Sequence, residues 1–218
     1  MAEATLIISS RNYSSWSLRG WLITRMSGLA FREQVTATDD AATRQELLLL
    51  SSSILVPRLI HDGLSIWDTL AIAEYLNEIR PKARMYPADR PARAHCRAIA
   101  GEMHSGFGAL RASLPMNLRA HRPGFHVWSA AQTDIDRILD IWRACLKQYG
   151  GPFLFGARFS VADAMYAPVT TRFRTYDVKL DAECAAYSAM IQDLPDMRAW
   201  KEAALAEQEQ VEELEVEF

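Results

Sequence analysis

The stretch VPRLIHDGLSIWD, residues 56–68, constrains the fold more than any other part of the chain. Two short apolar runs flank Asp62-Gly63, a pair suited to the tight turn of a β-hairpin. So short a connection forces its two strands antiparallel. The segments before it are spaced differently. Thr5 to Ser9 reads as a short buried strand. Leu18, Trp21, Leu22 and Leu29 then recur near helical period, with Gly28 marking the helix end. Phe31 to Thr36 reads as a second strand and Ala41 to Leu50 as another helix. Asp68 opens a further helix, with Ile72, Leu76 and Ile79 on one face. The order is βαβαββα. Its first half requires a parallel crossover and its second half an antiparallel hairpin, so the sheet is small, mixed and covered by helices.

Residues 80–91, RPKARMYPADRP, break this pattern with three prolines and four basic residues. Such a stretch reads as an interdomain linker. Everything beyond it reads as helix, in segments 92–119, 130–149, 160–176, 181–193 and 196–208. The fold class is therefore α+β, with a sheet-containing domain at 1–80, a linker at 81–91 and an all-helical domain at 92–218. The final EQEQVEELEVEF carries six acids and no base, and reads as a solvated or frayed tail.

Composition narrows the function. Half of the 218 residues are apolar, enough for a sizeable core. A net charge of −3 argues against nucleic acid, whose binding relies on clustered Lys and Arg. No apolar run reaches the length of a membrane span, and MAEATLIISS lacks the basic start of an export signal. Cys96, Cys145 and Cys184 are widely spaced and form no CxxC, which fits a reducing cytoplasm. The five histidines show no metal-ligand spacing, so no metal is expected.

Two helix starts carry chemistry. RNYSSWSLRG, residues 11–20, crowds hydroxyls at the mouth of the first helix. Ser14 and Ser15 serve there as N-caps, or they hold an anion such as a thiolate. Asp68-Thr69 is likewise an N-cap followed by a helix, and exposed N–H groups at such a terminus attract carboxylates. Ser160 with Asp163 three residues on is a capping box, a structural device. On the long segment after the linker, Met103, His104, Phe107 and Arg111 fall near one face. Met and Phe at helical spacing usually belong to a core, and a histidine usually finds a local partner.

SWSLRGWL, VPRLIHDGLSIWDTLAIAEYL, MYPADRPARAHCR and SVADAMYAP, in this order and spacing, resemble the cytosolic glutathione transferase family over nearly the whole chain. The first fragment is similar to zeta-like, serine-type members. The resemblance implies a thioredoxin-like first domain, an all-helical second domain, a homodimer, and glutathione as co-substrate with no metal. It implies a cis Val56-Pro57 bond that offers the Val56 backbone to glutathione's cysteinyl unit. Thr69 would hold the γ-glutamyl carboxylate and Asp68 the ammonium. Ser14 would donate to the thiol, with the Asn12 amide as auxiliary and Ser15 as the other candidate. The sequence departs from zeta-like members here: Asn12 and Tyr13 stand where they carry two serines, and Ser14 where they carry a cysteine. Tyr13, Met103, His104, Phe107 and Arg111 would line the pocket of a small electrophile. The implied reaction is attack of the thiolate on carbon or reduction of a peroxide. The alternatives are a non-catalytic interaction module of the same fold and glutathione-dependent disulfide exchange.

Overall fold

The computed structural model describes residues 4–36 and 55–207. The expected helix over 41–50 lies outside them. Strand β1 (Ala4–Ile8) is wholly buried at the centre of a four-stranded sheet. It runs parallel to β2 (Phe31–Val35), pairing Leu6 with Glu33, and antiparallel to β3 (Arg58–His61), pairing Leu6 with Leu59. β4 (Leu64–Trp67) completes the hairpin at the edge. Asp62 and Gly63 turn it with φ of 48° and 75°, both in the left-handed region that a type I′ turn demands. The burial follows position: the apolar ATLII is central, whereas the edge strands β2 and β4 present exposed residues.

Helix α1 (Ser15–Ser27) is capped by Ser14, whose side chain accepts from Ser17 N–H, and ends at Gly28 with φ 69°. It packs against α2 (Thr69–Ile79) and also against the second domain. The proline-rich linker is no loose tether. It forms a single 3₁₀ turn, Pro81–Ala83, buries Met85 and Tyr86, and accepts Val161 N–H on the Met85 carbonyl at 3.0 Å.

The second domain contains α3 (Arg90–Ser105), α4 (Gly108–Ser113), α5 (Ser129–Tyr149), α6 (Val161–Thr175), α7 (Ala182–Asp193) and α8 (Pro195–Ala206). The expected single helix over 92–119 is corrected here. It breaks at Gly106-Phe107, where Phe107 has φ 59°, and gives way to irregular chain from 114 to 128. A Cβ on Gly106 would lie 2.8 Å from the Glu102 carbonyl oxygen, so the break needs a residue without one. Asp163, fully buried, accepts from the Ser160 N–H and hydroxyl, from Leu154 N–H and from the Tyr187 hydroxyl. The capping box thereby fastens α6 to α7 and to the chain before it. Trp142 sits at the middle of this core against Tyr166, Phe173 and Tyr187.

Candidate active site

The turn between β1 and α1 is organised by hydroxyls. Ser10 Oγ accepts from the N–H groups of Asn12 and Tyr13. Ser14 Oγ, besides capping α1, donates to Ser17 Oγ at 2.9 Å, and Ser17 Oγ accepts Ser9 N–H at 3.0 Å. Of residues 12 to 15, Asn12, Tyr13 and Ser15 are buried and Ser14 alone is partly exposed. The Asn12 side chain is occupied at both ends. Its amide donates to Asn117 Oδ1 at 2.9 Å and its oxygen accepts Arg119 N–H at 3.1 Å. It ties the turn to the 117–119 loop, a geometry that does not suit the expected auxiliary role at a thiol. Tyr13 faces the same loop, its hydroxyl accepting from Arg119 at 3.0 Å.

Glu207, expected in a solvated tail, instead completes this turn. Its carboxylate accepts from the Ser10 hydroxyl at 2.8 Å, from Arg11 N–H at 2.7 Å and from Asn12 N–H at 3.2 Å. No pattern in the sequence near either end points to this contact between residues almost two hundred positions apart.

Val56-Pro57 is cis. Pro57 is buried against α1, where a Cβ on Gly20 would fall 2.3 Å from Pro57 Cγ. The bare α1 backbone at Gly20 therefore admits the start of β3 and sets Val56 beside the first helix. At the head of α2, Asp68 has φ 80° and Oδ1 accepts from Leu70 and Ala71 N–H groups. Its other oxygen contacts His104 Nε2, which comes from α3. The Thr69 hydroxyl is buried with no hydrogen-bond partner among the described residues.

His104 lies edge-on to Trp16, ring centroids 5.2 Å apart. The guanidinium groups of Arg19 and Arg111 lie 4.6 Å and 5.1 Å from the Trp16 ring. Arg111 also donates to the Met103 and His104 carbonyls. Met103 is core, with its sulfur accepting from Arg19 at 3.3 Å, and Phe107 is buried at the α3–α4 break. The expected residues His104 and Arg111 thus meet at Trp16, and Asp68 joins them through His104. Met103 and Phe107 take the packing role that their spacing equally allowed.

Ser15 Oγ accepts from two buried arginines, Arg19 at 3.3 Å and Arg172 at 3.2 Å. Neither arginine has a carboxylate partner among the described residues. Burial holds Arg19 well below the usual arginine range, reinforced by Arg172 and Arg111, and pushes Arg172 down to about 10. The protein interior beside the first turn is consequently electropositive. The three thiols take no part: each is buried, and burial pushes Cys96, Cys145 and Cys184 up to about 12. Among the described residues no group of three or more His, Cys, Asp or Glu is placed to hold a metal ion.

Known proteins share this architecture. A glutathione transferase homolog from Burkholderia GL BGR1, solved with bound glutathione, superposes with a TM-score of 0.71 at 22% identity, over 94% of this chain and 99% of that one. A maleylacetoacetate isomerase from Anaeromyxobacter dehalogenans 2CP-1, with bound dicarboxyethyl glutathione and citrate, gives a TM-score of 0.63 at 22% identity over 92% of each chain. The probable maleylacetoacetate isomerase of Caenorhabditis elegans is 26% identical over 78% of each chain. The maleylacetoacetate isomerase of Rattus norvegicus is 31% identical over 62% of each. The family model for the glutathione S-transferase N-terminal domain matches residues 13–79, and that for the C-terminal domain matches 125–203. With sheet domain and helical domain each matched, in the order the chain lays them down, this protein belongs to the glutathione S-transferase family.

Proposed function

We propose that the protein is a glutathione transferase that adds the glutathione thiolate to a small electrophile. The Val56 backbone and the Asp68-Thr69 head of α2 hold the tripeptide, and Ser14 donates its hydroxyl proton to the sulfur. The observation that carries this reading is the exposure of Ser14, the one hydroxyl of the first turn open to solvent, on the helix against which Pro57 is seated. An unperturbed thiol titrates near 8.5, so holding it as thiolate about two units lower takes roughly 2.7 kcal/mol. A hydroxyl hydrogen bond to a charged acceptor supplies about 1.5–3 kcal/mol. The α1 terminus and the cations Arg19 and Arg172 act in the same direction. Turning the Ser14 proton outward leaves no buried acceptor stranded, because Ser17 Oγ keeps the Ser9 N–H.

The Thr69 hydroxyl, without a partner among the described residues, and the Asp68 carboxylate suit the carboxylate and the ammonium of a γ-glutamyl end. In the reaction the thiol proton passes to solvent, sulfur bonds to the electrophilic carbon, and the leaving group departs with its electron pair. Trp16 and His104 provide an aromatic wall for the acceptor. A second reading, isomerisation of an anionic unsaturated acceptor, draws on the relatives named maleylacetoacetate isomerase and on the three guanidinium groups near Trp16 and Ser15. Turnover of maleylacetoacetate without net consumption of glutathione distinguishes it. The homodimer and cytoplasmic location implied by the resemblance belong to this proposal. Sedimentation velocity tests the first. Among the described residues no helix is long and apolar enough to cross a membrane.

The test is retention on immobilised glutathione followed by turnover of an aromatic chloride. Ser14→Ala should retain binding, raise the apparent pKa of the bound thiol by about two units and lower turnover at neutral pH by about 25-fold, the loss of thiolate fraction. An unchanged pH profile would remove Ser14 from the mechanism. Retention without turnover would instead favour the non-catalytic module.

A further inference from the structure

The Glu207 carboxylate is met by donors from one short segment. The Ser10 hydroxyl, the Arg11 N–H and the Asn12 N–H all reach it. The Arg11 guanidinium, itself paired with Glu33, lies 3.5 Å away. The Glu207 side chain is only 13% exposed, so these charge-assisted bonds form largely out of solvent. Two neighbours hold the same segment. Trp200 donates its indole N–H to the Arg11 carbonyl at 3.0 Å. Arg119 bridges the Glu207 carbonyl at 2.8 Å and the Tyr13 hydroxyl at 3.0 Å.

A line of bonds runs from this carboxylate to Ser14. A serine hydroxyl has one proton and two lone pairs. Ser10 gives its proton to Glu207, which leaves its lone pairs to the N–H groups of Asn12 and Tyr13. The Ser10 carbonyl accepts the Ser14 N–H at 3.0 Å. Without the carboxylate, the Ser10 hydroxyl loses its acceptor and the Arg11 N–H loses both of its own. The turn that ends in the Ser14 cap can then rearrange, and a displacement of about 1 Å can cost about 100-fold in rate. We propose that Glu207 is a positioning residue for thiol activation, a role that rests on Ser14 being the thiol's donor. It fixes the Ser10–Tyr13 turn so that the Ser14 hydroxyl meets the glutathione sulfur. Its charge alone would act in the opposite sense, since a nearby anion disfavours a thiolate. Positioning and charge are therefore separated by the direction of the change.

The experiment follows the ultraviolet thiolate absorbance of bound glutathione against pH in the wild type, Ser14→Ala, Glu207→Ala and the double variant. Glu207→Ala should raise the apparent pKa of the bound thiol by about one unit and lower kcat at neutral pH about threefold, the loss of thiolate fraction. The KM for glutathione should change by less than about twofold, because Val56, Asp68 and Thr69 stay in place. In the Ser14→Ala background the Glu207 substitution should add no further shift, since its effect passes through Ser14. Glu207→Gln keeps one acceptor oxygen for the Ser10 hydroxyl and should move the pKa the same way by less. It carries the test if the alanine variant melts early, and circular dichroism and melting temperature verify the fold of each variant. A pKa unchanged or lowered in a folded Glu207 variant, or a rise that persists in full without Ser14, overturns the proposal and leaves Ser14 as the donor. An unaltered pH profile in Ser14→Ala removes the proposed donor, and the role of Glu207 with it.

Discussion

Asp68 has three tasks at one residue. It caps α2, it meets His104 across the domain boundary, and in the proposed function it pairs with an ammonium group. It does so at φ 80° and ψ 134°, a backbone conformation that is costly for any L-residue. Alanine at this position would therefore mix backbone strain with lost charge. Asparagine keeps the capping oxygen and the shape of the side chain, so Asp68→Asn leaves the backbone cost as it was and isolates the charge. We expect Asp68→Asn to change unfolding free energy by less than about 1 kcal/mol, since Asn and Asp cap equally well. Its glutathione affinity should fall at least tenfold, as read by isothermal titration. The roles of residues in the first turn were only partly legible in the sequence. That Ser14 caps a helix could be read from local spacing. That the Asn12 amide is held by Asn117 and Arg119 could not, because those partners lie more than a hundred positions away and chain spacing carries no record of direction.

At the scale of elements, local chemistry was the better guide. The Asp62-Gly63 turn, the Ser160–Asp163 box and the Gly28 stop all stand where turn and capping rules put them. The break at Gly106-Phe107 escaped because a single glycine within a periodic pattern is usually tolerated in a helix. What demands glycine there is a carbonyl oxygen of the preceding turn. Gly20 poses the same kind of problem between elements. It lies in the middle of α1, where glycine weakens a helix, and its reason is Pro57. Gly20→Ala improves helix propensity but places a methyl 2.3 Å from Pro57 Cγ and 2.5 Å from its Cβ. Pushing β3 away from α1 should cost about 1–3 kcal/mol in urea unfolding, the usual penalty of overpacking. It should also weaken retention on immobilised glutathione, because Val56 moves with its proline. A variant as stable and as well retained as the wild type would show that the contact relaxes freely.

For the whole molecule, the division into a sheet-bearing half and a helical half was legible from the change of period at the linker. The number of ties between the halves was not. Arg19 donates to Met165, Asp68 meets His104, Arg172 reaches Ser15, and the linker itself is pinned by Val161. The cysteines report on this packing. All three are buried, and their thiols are pushed up to about 12, so the thiolate fraction at pH 8 is negligible. Iodoacetamide at pH 8 should leave the native chain unmodified by mass spectrometry and add three groups in denaturant. Rapid labelling of a native thiol would reopen a disulfide-exchange chemistry for the protein.

The clasp of Glu207 on Ser10, Arg11 and Asn12 has a temporal meaning. During synthesis the amino-terminal segment waits until residue 207 has been made before its backbone amides find their acceptor. A truncated product comprising residues 1–80 holds Ser14, Val56, Asp68 and Thr69, yet its reactive loop should stay unfinished and should not be retained by immobilised glutathione. Glutathione binding, in the proposed function, would then wait on synthesis of the helical domain.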